Sequence, residues 1–180
     1  MSDSYVSTPV HRKTATVTFR IGAELMHTLR EESENKKISL NTLVNQILNS
    51  YAEWERFEER VGMISLAKPV VVKLFSKMNE EEIIDLANSV GKDATRDIAI
   101  FMGNEIDFEL FLRWFEIRMK KSAVELTHTV RGNLHRYVIK HDLGRNWSLY
   151  HKMVLESIFR ELFGKTIDAS MSETILKFSF

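Results

Sequence analysis

The sequence predicts a helix-rich α+β fold in two parts: a strand followed by two helices, then a larger domain of several helices with a small antiparallel sheet. Three observations predict it. From Thr14 to Ile21 the side chains alternate, with Val17, Phe19 and Ile21 on one side and Thr16, Thr18 and Arg20 on the other, which is the period of a strand with one buried face. After Ile21 the apolar residues recur at helical spacing as far as the charged stretch before Gly62. Past Gly62 further helical stretches give way to two β-prone runs, one more helix and a last alternating run, the order of an α+β domain.

Composition narrows the function classes. The 180 residues are 44% hydrophobic, enough to bury a core without staples. The absence of cysteine excludes disulfides, thiolate metal sites and cysteine nucleophiles, and fits a reducing compartment. The opening residues Met1 to Tyr5 lack the layout of a signal peptide, and no apolar run approaches the ~20 residues of a membrane span, so a cytoplasmic protein is expected. Twenty-five basic residues balance twenty-five acidic ones, so an anionic partner would have to meet a local patch.

In chain order, residues 1–12 are small, polar and interrupted by Pro9, and read as a flexible arm. His11, Arg12 and Lys13 place cations just before the strand, either as a solvated edge or as phosphate contacts. The strand has no partner nearby in sequence. An unpaired strand exposes its backbone donors and acceptors, so the nearest partner is the same strand of a second copy. Leu25, Met26 and Leu29 then give a helix to about Asn35 or Lys36, with Asn35 suited to left-handed geometry at its end. Ser39 can cap a second helix, whose stripe of Leu40, Leu43, Val44, Ile47, Leu48, Tyr51 and Trp54 is too broad for one strand and one helix to cover. The segment 13–61 is taken as one domain, with its junction at Gly62.

The string Val17-Thr18-Phe19-Arg20-Ile21, then Ala23-Glu24-Leu25-Met26 and Leu29, then Ser39 followed by Leu43-Val44 and Ile47-Leu48, resembles the ribbon-helix-helix family of DNA-binding repressors. The resemblance covers Lys13 to Trp54. It departs from the family at Gly22, where many members have Pro, and at Asn35 to Ile38, where many have a Gly. What it implies is a homodimer, or a higher homo-oligomer, whose paired antiparallel strands enter the major groove of double-stranded DNA as a sequence-specific transcription regulator. Thr16, Thr18 and Arg20 match the family's base-reading positions, with Arg20 able to grip guanine bidentately. Arg12, Lys13, Lys36, Lys37, Ser39 and Asn41 are the implied phosphate contacts, the last two through the open N–H groups of a helix start. The same residues also admit plainer roles: a solvated sheet face for Thr16, Thr18 and Arg20, and an ordinary helix cap for Ser39.

Residues 62–180 resemble no recognised family and are read as an oligomerisation or effector domain. Ser65 to Met78 reads as a helix with Pro69 in its first turn, and Asn79 caps another that Gly91 would end. Asp93 to Met102 reads as a short helix closed by Gly103. Asp107 opens a helix bearing Phe108, Phe111, Leu112, Phe115 and Met119. Val124 to Val130 and Leu134 to Ile139 form a hairpin about Gly132-Asn133; a helix from Gly144 to Phe163 follows, and residues 174–180 rejoin the sheet.

No phosphate-binding glycine loop, nucleophile elbow or zinc-protease motif is present, so no enzymatic activity and no cofactor are expected. His128 and His135 would lie almost opposite one another on the hairpin, where two imidazoles can bind a transition metal, as in a nickel-responsive regulator of the same family. Those regulators also use a cysteine. Two other readings stay open: an antitoxin-like adaptor that holds a protein through its C-terminal domain, and acid–base chemistry by the hairpin histidines with Glu125 and Asp142.

Overall fold

The computed structural model describes residues 14–58, 60–103, 106–122 and 124–180, which divide into two compact units, one ending at Asn49 and the other running from Ser50 to Phe180.

In the first unit α1 spans Ala23–Asn35 and α2 begins at Leu40. The turn between them is a Schellman motif: the Ile38 N–H donates to the Ser33 carbonyl and the Lys37 N–H to that of Glu34, both at 3.0 Å. Lys37, not the expected Asn35, takes the left-handed backbone, at φ 52°. Ser39 caps α2 by accepting the Thr42 N–H at 3.0 Å. Leu43 and Ser33 are buried. Residues 14–22 correct one expectation, because they form no strand within the single chain; all strands among the described residues lie C-terminal, between Glu125 and Ser179. A strand is defined by pairing, and this segment pairs with nothing among the described residues of its own chain. Val17 and Phe19 accordingly stay 64% and 62% exposed instead of facing the helices.

The second unit begins with the last residue of α2 (Leu40–Ser50), a π-helical turn at Tyr51–Glu55 and a short α3, Arg56–Glu58. The contact division falls ahead of Gly62 because Trp54 is buried in this unit's core, while Glu53 and Glu55 pair with Arg113 at 3.0 Å and Lys121 at 3.2 Å. Pro69 lies in the first turn of α4, Lys68–Lys77, as its missing N–H allows. Asn79 and Glu82 form a reciprocal capping box at the start of α5, Glu80–Leu86: the Asn79 side chain accepts the Glu82 N–H at 2.9 Å, and the Glu82 carboxylate accepts the Asn79 N–H at 2.7 Å.

Gly91 does not end this helix. A second π-helical turn, Ala87–Gly91, leads directly into α6, Lys92–Gly103. Gly91 is buried, and a Cβ built there would lie 2.6 Å from the Tyr150 hydroxyl, so what it provides is room for a packed neighbour.

Asp107 caps α7, Phe108–Lys121, by accepting the Leu110 N–H at 2.9 Å. The hairpin follows, β1 at Glu125–Arg131 and β2 at Leu134–Lys140, with Gly132 supplying the positive φ of 59° that its two-residue turn requires. Helix α8, Arg145–Phe163, stops at Gly164 in left-handed geometry. Strands β3, Asp168–Met171, and β4, Ile175–Ser179, complete an antiparallel sheet of order β1-β2-β4-β3. Pairing puts His128, Tyr137, Phe178 and Ala169 in one row across the sheet and Leu126, Ile139, Leu176 and Met171 in the next. These rows face α7 and α8, where Phe115 meets Tyr137 edge-on at 6.0 Å and Phe159 meets Phe178 at 5.9 Å.

Candidate functional site

Alternation decides what residues 14–22 offer. Thr16, Thr18 and Arg20 are exposed, and none has a side-chain hydrogen bond or ion pair among the described residues. Arg12 and Lys13 lie outside the described residues. The remaining implied phosphate contacts cluster at the turn between α1 and α2, each with a local role of its own. Lys36 pairs with Glu32 at 2.8 Å on the last turn of α1. Lys37 holds the left-handed position. Ser39 is an N-cap, and its hydroxyl also meets that of Thr42 at 2.8 Å. The Asn41 carbonyl accepts the Asn45 side-chain amide at 2.8 Å. Leu25, Ile47 and Leu48 are 56%, 45% and 50% exposed, so an apolar surface of this unit, like Val17 and Phe19, is left uncovered by the described residues.

The hairpin histidines meet, but diagonally. His128 pairs with Tyr137 and His135 with Val130, which leaves the two imidazoles one row apart on the core-facing side of the sheet. His128 Nε2 lies 3.0 Å from His135 Nδ1, and His128 Nδ1 lies 3.0 Å from a Glu116 carboxylate oxygen on α7. With neutral rings, His135 Nδ1–H donates to His128 Nε2, and His128 Nδ1–H donates to Glu116, which also accepts the Tyr137 hydroxyl at 2.9 Å. Stacking holds the rings in place: His128 on Tyr137 at 4.0 Å and His135 on Phe180 at 5.0 Å.

This geometry is not a chelate, since two of the nitrogens that would ligate a metal face each other. No group of three metal-ligating side chains is assembled among the described residues. The carboxylate that joins the histidines is Glu116, which sequence reasoning missed because nothing in the spacing links α7 to the hairpin. Glu125 and Asp142 are elsewhere, paired with Lys140 at 3.8 Å and with Lys68 respectively.

His141 and His151 hold structure. The Leu143 N–H donates to His141 Nδ1 at 3.2 Å, so the proton is on Nε2, which donates to the buried Ser148 hydroxyl at 2.7 Å. His151 Nδ1 donates to the Trp147 carbonyl at 3.0 Å, and its ring lies on the Trp147 indole at 3.8 Å. Burial pushes both below the ordinary histidine value, His151 to about 3, with the nearby Arg118 charge adding to its shift.

No helix among the described residues is long and apolar enough to cross a membrane. Comparison of the chain with protein-family models, with curated proteins and with solved structures gives no match.

Proposed function

We propose that the chain is a homodimeric, sequence-specific DNA-binding regulator of ribbon-helix-helix type, in which residues 14–21 of two copies pair antiparallel and enter the major groove. The observation that carries the reading is the segment itself. Val17 and Phe19 are exposed apolar residues alternating with Thr16, Thr18 and Arg20, ahead of two helices joined by a Schellman turn. Pairing with a second copy would satisfy the backbone of the strand and bring apolar cover for Val17, Phe19, Leu25, Ile47 and Leu48. It would leave the threonines and Arg20 facing outward twice over, on a ribbon of the width that the major groove admits. The neutral balance of charge is compatible with this mode, because the start of α2 and the arm before the strand would contact phosphates locally.

The test is selection from a random duplex pool with the full chain, with Arg20→Ala alongside. Arg20→Ala is expected to lose about 1–3 kcal/mol of discrimination at the positions that it reads and to relax the selected sequence there. Equal affinity and an identical selected sequence for both proteins would remove the strand as reader. The unit from Ser50 onward is proposed to act on the DNA-competent dimer as its oligomerisation or effector part.

A further inference from the structure

Between α6, α7 and α8 lies a narrow cavity lined by Thr95, Trp114, Arg118, Tyr150 and His151, with aromatic and aliphatic side chains filling the rest of its wall. Its polar groups are unbalanced. Arg118, which is half-buried, offers five N–H donors and no acceptor, and among the described residues its guanidinium has neither a hydrogen bond nor an ion pair. It lies over the Trp114 ring at 5.4 Å and near Tyr150 and His151. Trp114 is 2% exposed, and its Nε1–H, a donor only, has no acceptor among the described residues. The Thr95 hydroxyl donates to the Gly91 carbonyl at 2.8 Å and His151 Nδ1 to that of Trp147, so the acceptors that the lining keeps, on Thr95, Tyr150 and His151 Nε2, are all neutral. The lining contains no carboxylate.

A buried donor left without a partner costs about 1–3 kcal/mol, and a cation without a counter-charge costs more. Burial lowers the Arg118 pKa from its usual value, the direction expected of a charge set among apolar groups. A water molecule would accept from the donors but leave the charge uncompensated. The cavity offers about 20 Å³ to the centre of a water-sized group, against the roughly 10–15 Å³ that one water needs, so its occupant is small.

We propose that this cavity is a binding site for one small monovalent anion of halide to formate size, held by the Arg118 guanidinium with the Trp114 Nε1–H as second donor. The site lies wholly within the second unit and stands independently of any DNA reading. An anion there would tie α7 to α8 through the groups that line both, and an effector of this class would then change the stiffness of that unit.

Chloride NMR on the full chain tests it. Wild type should broaden the ³⁵Cl line, with bromide displacing the effect, whereas R118Q should give no excess broadening and W114F should bind about fivefold more weakly, the worth of one hydrogen bond. Crystals grown in bromide should show one anomalous peak within hydrogen-bond reach of Arg118, a measurement that does not depend on whether R118Q folds. A water in place of bromide at saturating salt would overturn the proposal, as would broadening that persists unchanged in folded R118Q. Unaltered affinity in W114F would overturn the two-donor site.

Discussion

Lys37 carries a backbone conformation that its side chain does not favour, at φ 52°, because the Schellman turn needs a left-handed residue between Ser33 and Ile38. Glycine adopts that conformation without the steric penalty. Lys37→Gly is therefore expected to stabilise the fold by about 1 kcal/mol, read as a higher urea midpoint at unchanged slope. If Lys37 also contacts phosphate in the proposed complex, the same variant binds DNA less tightly while being more stable. At Tyr137, which is fully buried and donates to Glu116 at 2.9 Å, Tyr137→Phe removes one hydrogen bond while keeping the stacked ring. A loss of about 1 kcal/mol in urea unfolding is the expected result, and no loss would mean that the Glu116–His128–His135 chain is not anchored there. Caps were the most legible residues in the sequence, since Ser39, Asn79 and Asp107 act on backbone three positions away. The aromatic run Phe108, Phe111, Trp114 and Phe115 read as core or as the lining of a ligand pocket, whereas Glu116 and Arg118 were not legible as sites, because what makes them notable is a neighbour or a missing neighbour from another element.

At the scale of elements, periodicity located α1, α2, α4, α7, α8 and the hairpin with its turn, since each has a long apolar face or a Gly at the required position. Besides the strand expected at residues 14–21, it failed at two features. Strand β3, Asp168–Met171, is three small or polar residues followed by Met171, and its pairing depends on β4, which comes later in the chain. Gly91 looked like a stop because glycine commonly ends helices; here its missing side chain serves the packing of α8 against a π-helical turn. Gly91→Ala should accordingly destabilise by about 1–3 kcal/mol, the usual penalty of overpacking, and Tyr150→Phe in the same background should recover part of it by removing the hydroxyl that the new methyl meets. A surface glycine with open space around it, such as Gly132, would show strain from its φ but no such rescue.

For the molecule as a whole, two histidines, His141 buried and His151 half-buried, shape the response to acid. His151 stays neutral in the fold down to about 3, and His141 is lowered as well, while each takes up a proton near 6.5 once unfolded. Below pH 6.5 the unfolded chain thus binds more protons than the folded one, and stability falls as pH is lowered. The slope for His151 approaches ~1.4 kcal/mol per pH unit. Urea midpoints between pH 6.5 and 5 isolate this effect, since Glu161, held down to about 2 by Lys92, and Asp142, held down by Lys68, lose their contribution only further into the acid range. A flat midpoint across that window would show that the two rings take up protons in place. The N-terminal part of the fold was legible only up to its chemistry: the alternation of residues 14–21 names two faces, but Val17 and Phe19 stay exposed in the single chain, and only the proposed pairing with a second copy would bury them. Sedimentation should therefore find a dimer that Phe19→Asp converts to monomer, and a wild-type monomer at micromolar concentration would exclude the paired ribbon.

The order of strands in the sheet also bears on how the protein is made. Strand β4 lies between β2 and β3, so an interior strand of the sheet is made after both of its neighbours. At about 5–20 residues per second, the aromatic face of α7 waits roughly 3–12 seconds, and that of α8 roughly 1–3 seconds, before residues 175–179 can pair. During that interval β2 presents an open edge, and the apolar faces of α7 and α8 lack the cover of Leu176 and Phe178. A ribosome stalled before Ile175 would expose that surface for as long as the stall lasts.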